Sequence, residues 1–129
     1  MKKITITSAP ATGDAGVAIG SGTSEAVSGF VHKVRLEYYG SPPSTTDVTI
    51  NDLNDPSAEA IISRMNSYTN TTIYPRRMTT TNTNTNVTYD GIRGVYDYFV
   101  VNGPLQIAMS QTNAGCYVIA YVYIIDDIA

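Results

Sequence analysis

Tryptophan is absent from this 129-residue chain, which holds one histidine, one cysteine and only 15% charged residues. Each shortage excludes something. Cys116 has no partner for a disulfide within the chain, and its apolar neighbours Tyr117 to Ile119 suggest a small buried side chain in a strand. His32 shares its expected face with Phe30, Val34 and Leu36, and the local sequence places no Ser, Cys or carboxylate beside it. It therefore reads as a core or interface histidine before it reads as a general base. No apolar stretch approaches the ~20 residues that cross a bilayer, since Tyr117 to Ile125 is too short and is interrupted by hydroxyls. A membrane span is not expected. Net charge is −3 and the sequence pI is near 4.8, which argues against an electrostatic grip on nucleic-acid phosphates or an anionic membrane.

What the chain has instead is ten tyrosines and an abundance of neutral Thr, Ser and Asn to cover its outside. Such a surface tolerates burial against a partner. The length suits one domain that buries roughly two thirds of the surface its unfolded form exposes. Met-Lys-Lys at the start leads into alternating Ile-Thr-Ile-Thr and not into a continuous apolar run, so synthesis in the cytoplasm without secretory processing is expected.

Period-two alternation dominates. Lys2 to Ser8 reads as a first strand, followed by a Gly/Ala/Ser-rich stretch from Ala9 to Ser24 that is either a flexible arm or a thin edge strand around Val17 to Ile19. Gly29 to Tyr39 is the clearest strand, with Phe30, His32, Val34, Leu36 and Tyr38 on one face and Val31, Lys33, Arg35, Glu37 and Tyr39 on the other. Pro42 and Pro43 end it, and Asp47 to Ile50 resumes the alternation. Asp55-Pro56 ahead of Ser-Ala-Glu-Ala-Ile-Ile carries a helix-start signal, for a short helix near residues 56–66; a strand through the same residues is the alternative.

Pro75 belongs at an edge or bulge, which predicts an exposed Tyr74-Pro75-Arg76-Arg77. Thr79 to Thr88 is a low-complexity Thr/Asn run, read as a loop or protruding hairpin. Asn102-Gly103 predicts a tight turn between a strand over Val95 to Val101 and another over Leu105 to Gln111. After a turn at Thr112 to Gly115, Tyr117 to Ile125 is apolar on both faces and is therefore central or covered by another subunit. About eight strands at this spacing predict a mainly-β fold, a single β-sandwich or jelly-roll-like barrel over residues 25–129, with residues 1–24 as an N-terminal strand and arm.

Chemistry-bearing constellations are few. Asp47, Asn51, Asp52, Asn54 and Asp55 offer oxygen ligands without the spacing or glycine of a calcium loop, and Asx turns account for them equally. No metal, cofactor or catalytic residue is expected. Asp126-Asp127 reads as a solvated terminus. Asn70-Thr71-Thr72 and Asn86-Val87-Thr88 match the glycosylation sequon in a chain where both residue types are abundant. Arg76 and Arg77 beside Tyr74 suit the energetic centre of an interface or an ordinary charged edge. Tyr117, Tyr121 and Tyr123 suit either sugar stacking or packing within a core or subunit contact.

The succession Ser28-Gly29-Phe30-Val31-His32-Lys33-Val34, Tyr39-Gly40-Ser41-Pro42-Pro43-Ser44-Thr45-Thr46-Asp47, Tyr74-Pro75-Arg76 and Gly103-Pro104-Leu105-Gln106-Ile107 resembles a group of small tailed-bacteriophage virion proteins. The likeness covers most of the chain from about Ser28 onward. It implies a capsid decoration or cement protein, a non-enzymatic β-rich module bound as a trimer to the major capsid protein on the outside of the head. Lys2, Lys3, Tyr74, Arg76 and Arg77 are the candidate partner-binding residues. A receptor- or glycan-binding module of a phage tail or fibre is the alternative function, and a small hydrolase using His32 is a third.

Overall fold

The computed structural model describes residues 1–88 and 90–125. Among these the chain is all-β with no helix: a seven-stranded antiparallel sheet and a two-stranded ribbon, sandwich-like and not closed into a barrel. The strands are β1 (Lys2–Thr7), β2 (Ala18–Tyr39), β3 (Asp47–Asp52), β4 (Ala60–Arg64), β5 (Thr71–Ile73), β6 (Arg77–Met78), β7 (Tyr96–Asp97), β8 (Phe99–Thr112) and β9 (Tyr117–Ile125).

β2 organises the rest. Its first stretch pairs with β8, from Ala18 opposite Thr112 to Val31 opposite Phe99, and its second pairs with β9, from Phe30 opposite Ile125 to Tyr39 opposite Tyr117. The strand changes partner where Gly29 takes a φ of 143° and a bulge falls between Val31 and Lys33. Bulges bend a strand and tighten its twist, so the sheet, in the order β1-β9-β2-β8-β3-β4 with β5 on β2, folds over itself. Side chains from both arms meet in one core, with Ile4, Ile6, Val122 and Ile124 on one side and Val48, Ile50, Leu105 and Ile107 on the other. Fully burying such a side chain contributes about 1.5–3 kcal/mol, which makes the inward face of each strand unambiguous.

Both open flanks of the sandwich are tied. On one, Ala9 donates its N–H to the Ser21 carbonyl, and Gly20 and Gly22 let the Ala9 and Thr7 carbonyls come against β2. On the other, the Arg64 guanidinium lies 5.6 Å from the Tyr38 ring and donates to the Thr69 carbonyl, while Tyr38 N–H donates to Asn70 Oδ1 at 2.8 Å.

Several expectations are corrected. No helix forms at residues 56–66: Asp55 does accept N–H groups from Ser57 and Glu59, but Ala58 adopts a φ of 52° and ends the turn at once. The alternative strand, β4, then buries Ile61 and Ile62 against the core. Asn102-Gly103 is not a turn and lies inside β8. The Asn54 carboxamide sits where a Gly103 Cβ would be, at 2.6 Å, and donates to the Asn102 carbonyl. The glycine serves close packing and not chain reversal.

The bulge at His32 also splits the expected face of β2, so Val31, Val34, Leu36 and Tyr38 are buried while Phe30 and His32 turn away from the core. Pro75 is buried between an exposed Tyr74 and a half-buried Arg76. The boundary expected near residue 24 falls inside β2, and Ile4 and Ile6 of β1 belong to the common core. Asp126-Asp127 lies outside the described residues.

Candidate partner-binding face

Alternation along β9 sends Val118, Ala120, Val122 and Ile124 into the core and leaves Tyr117, Ile119, Tyr121, Tyr123 and Ile125 half-buried on the outer side. β9 is central, between β1 and β2, so the tyrosines form the middle of a three-stranded face. Register sets their neighbours. Tyr123 is flanked by Lys3 of β1 and Lys33 of β2, Tyr121 by Thr5 and Arg35, Ile119 by Thr7 and Glu37, and Tyr117 by Tyr39.

The side chains order one another across these rows. Lys33 Nζ lies 4.7 Å from the Tyr123 ring centroid and Lys3 Nζ lies 5.4 Å from that of Tyr121. Tyr39 and Tyr117 stack, and the Tyr39 hydroxyl donates to Glu37 Oε2 at 2.8 Å. That carboxylate also lies 3.7 Å from Arg35 Nε. Ionising the Tyr39 phenol would set two anions side by side, so the Glu37 hydrogen bond raises its pKa above that of a free tyrosine.

A second cluster surrounds the β2 bulge. Arg76 donates to the His32 carbonyl at 3.0 Å and its guanidinium lies 4.2 Å from the Tyr98 ring. His32 meets Tyr74 edge-on at 5.7 Å, and its Nδ1 is buried without a hydrogen-bond partner. Arg76 is therefore committed within the chain, where it anchors the segment that projects beyond it. That segment begins with the β6–β7 ribbon and contains the Thr/Asn run as a hairpin, with Thr80 bridged to Asn86 and Asn84 at a φ of 63°. Thr79, Val87 and Val95 close a ring of backbone hydrogen bonds, Thr79 N–H to Val95, Val95 N–H to Val87 and Val87 N–H to Thr79. Beyond it stands Ile92, 88% exposed.

The five sequence candidates do not converge. Lys3 lies on the tyrosine face, but Lys2, one residue away, points to the opposite side and lies 3.8 Å from Glu25. Tyr74 and Arg76 belong to the bulge cluster, and Arg77 lies 3.9 Å from Glu59. Lys33 and Arg35 were not singled out, although their alternation with Val34 and Leu36 marks them as outward; what brings them to Tyr121 and Tyr123 is the β2–β9 register.

The acidic cluster is occupied by backbone. Asp52 accepts the N–H groups of Asn54 and Asn102, and Asp47 accepts that of Asn66. Hydrogen bonds from Ser57 lower the pKa of Asp55. Among the described residues no three His, Cys, Asp or Glu side chains are grouped to hold a metal ion. On the other layer a shallow groove of ≈ 520 Å³, with Ala9, Pro10, Ile19 and Met109 in its walls, is lined by no charged side chain. Comparison with known protein families, curated proteins and solved structures finds no match to this chain.

Proposed function

We propose that this protein is a non-catalytic docking module, a capsid decoration or cement protein of a tailed-bacteriophage virion, bound as a trimer to the major capsid protein. The observation that carries the docking role is the outer face of β1, β9 and β2, where four tyrosines are held in fixed rows by stacking and by cations. Ordered aromatic side chains offer large contact area at low cost in conformational entropy. The virion assignment is supported by the likeness of the Ser28, Tyr39, Tyr74 and Gly103 segments to such proteins.

Magnitudes favour several copies acting together. With 9 residues in β9, a three-stranded face spans roughly 30 by 15 Å, on the order of 450 Å², against the ~800 Å² per partner of a stable interface. One such face binds weakly; three on one trimer bind through raised effective concentration. A module that binds the assembled shell and not its loose subunits stabilises the shell by about 2.7 kcal/mol per site at a hundredfold excess over Kd.

Electron microscopy of the native particle is the direct test. The expected result is density for this chain on the head exterior, with particles stripped of it releasing DNA at lower temperature. Particles that lack the chain would overturn the virion assignment. The receptor- or glycan-binding alternative draws on the same tyrosines, and the chemistry of their surroundings separates the two.

A further inference from the structure

We infer that the surface this face receives is an acidic protein surface and not a carbohydrate; the inference rests on the docking role proposed above and names the chemistry of the partner. The chain as a whole carries a net charge of −3, yet among the described residues its tyrosine face gathers Lys3, Lys33 and Arg35 against the single carboxylate of Glu37. That carboxylate is already engaged by Arg35 Nε and by the Tyr39 hydroxyl. Among the described residues neither Lys3 nor Lys33 has a carboxylate within 4.0 Å. Each ammonium instead rests against a tyrosine ring, an arrangement that leaves N–H donors for a further acceptor.

The same contacts leave less ring for sugar. Stacking on a pyranose needs an open ring face, and one of the two faces of each ring is already taken here: Tyr39 and Tyr117 by each other, Tyr121 by Lys3 and Tyr123 by Lys33. The remaining chemistry is ammonium, guanidinium and phenol hydroxyl, all hydrogen-bond donors. Carboxylates are their natural acceptors. Lys3 and Lys33 flank Tyr123 on adjacent strands, which sets their backbones roughly 10 Å apart, and Arg35 lies two residues further along the same face of β2. A partner with carboxylates at that spacing meets both ammonium groups at once, with Arg35 beside them already paired to Glu37, and the contact speeds association and weakens with salt.

The test uses the full-length protein, isotopically labelled, titrated with a random glutamate–tyrosine copolymer and separately with hyaluronate, an anionic polysaccharide. The copolymer is expected to shift the amide signals of Lys3, Thr5, Lys33, Arg35, Tyr121 and Tyr123, and added salt to weaken its binding. Lys3→Glu with Lys33→Glu is expected to lower affinity by ~tenfold or more. Lys3→Gln with Lys33→Gln, which removes charge without reversing it, gives a smaller loss in the same direction, and retained signal dispersion shows that both variants fold. Unchanged copolymer affinity in the reversed variant overturns the inference. So do hyaluronate shifts at the same residues at equal or lower concentration. The docking role stands or falls separately, on whether wild-type protein occupies the particle.

Discussion

Tyr39, the last residue of β2, stacks on Tyr117, the first of β9, with ring centroids 5.1 Å apart and planes 12° from parallel. The pair sits directly across the ladder, where facing side chains contribute most to sheet stability. Tyr39→Ala and Tyr117→Ala are expected to show a coupling of about 0.5–1.5 kcal/mol in a double-mutant cycle followed by urea denaturation.

The hydrogen bond from Tyr39 to Glu37 has a pH consequence. Because the folded phenol holds its proton more tightly than the unfolded one, its contribution is present below about pH 10, the unfolded value, and is lost as pH rises through the higher folded value. A ring-carbon NMR titration should find Tyr39 ionising above an ordinary tyrosine. Glu37→Gln should bring it back down.

Gly22 lies where β1 ends against β2, and a Cβ there would overlap the Thr7 carbonyl, backbone that no rotamer change can move aside. Gly22→Ala should destabilise by about 1–3 kcal/mol or more. Ser21→Ala next door, on an exposed side chain, should stay within about 0.5 kcal/mol. Chemical denaturation of both variants provides the comparison.

Arg76 ties the projecting hairpin to the domain through the His32 carbonyl and the Tyr98 ring. Arg76→Ala should make the 79–95 segment more sensitive to limited proteolysis while lowering global stability by about 1–2 kcal/mol. Arg76→Lys should restore little, because an ammonium cannot stack flat on the ring while holding the carbonyl.

Asp52 is buried at the end of β3 and accepts N–H groups from Asn54 and Asn102. Asp52→Ala leaves both without their acceptor and should cost about 1–3 kcal/mol. Faster hydrogen exchange at the Asn54 and Asn102 amides would show the same loss locally.

The sequence by itself determined the class of structure and the character of the surface. Alternation in Lys2 to Thr7 and Asp47 to Ile50 specifies strands, because a side chain on a pleated backbone has only two directions to take, and the β-branched and aromatic run Tyr117 to Ile125 does so by propensity. The Thr/Asn run, with little apolar to bury, had to stand outside the core as a loop or hairpin. Scarce charge and abundant tyrosine likewise gave the outside its neutral, aromatic character.

Tertiary structure decided which residues that surface contains. A bulge at Val31/Lys33 reverses the facing of half of β2, and a one-residue shift moves a whole hydrophobic set between faces. Asp55-Pro56 carries a helix-start signal, yet burying Ile61 and Ile62 as a strand prevails. Asn102-Gly103 fits a hairpin turn, yet packing against Asn54 runs β8 straight through it. Lys3 and Lys33 lie thirty positions apart and come to flank Tyr123 only through pairing with β9. Those choices are made by contacts between residues remote in sequence, whose free energy no local pattern records.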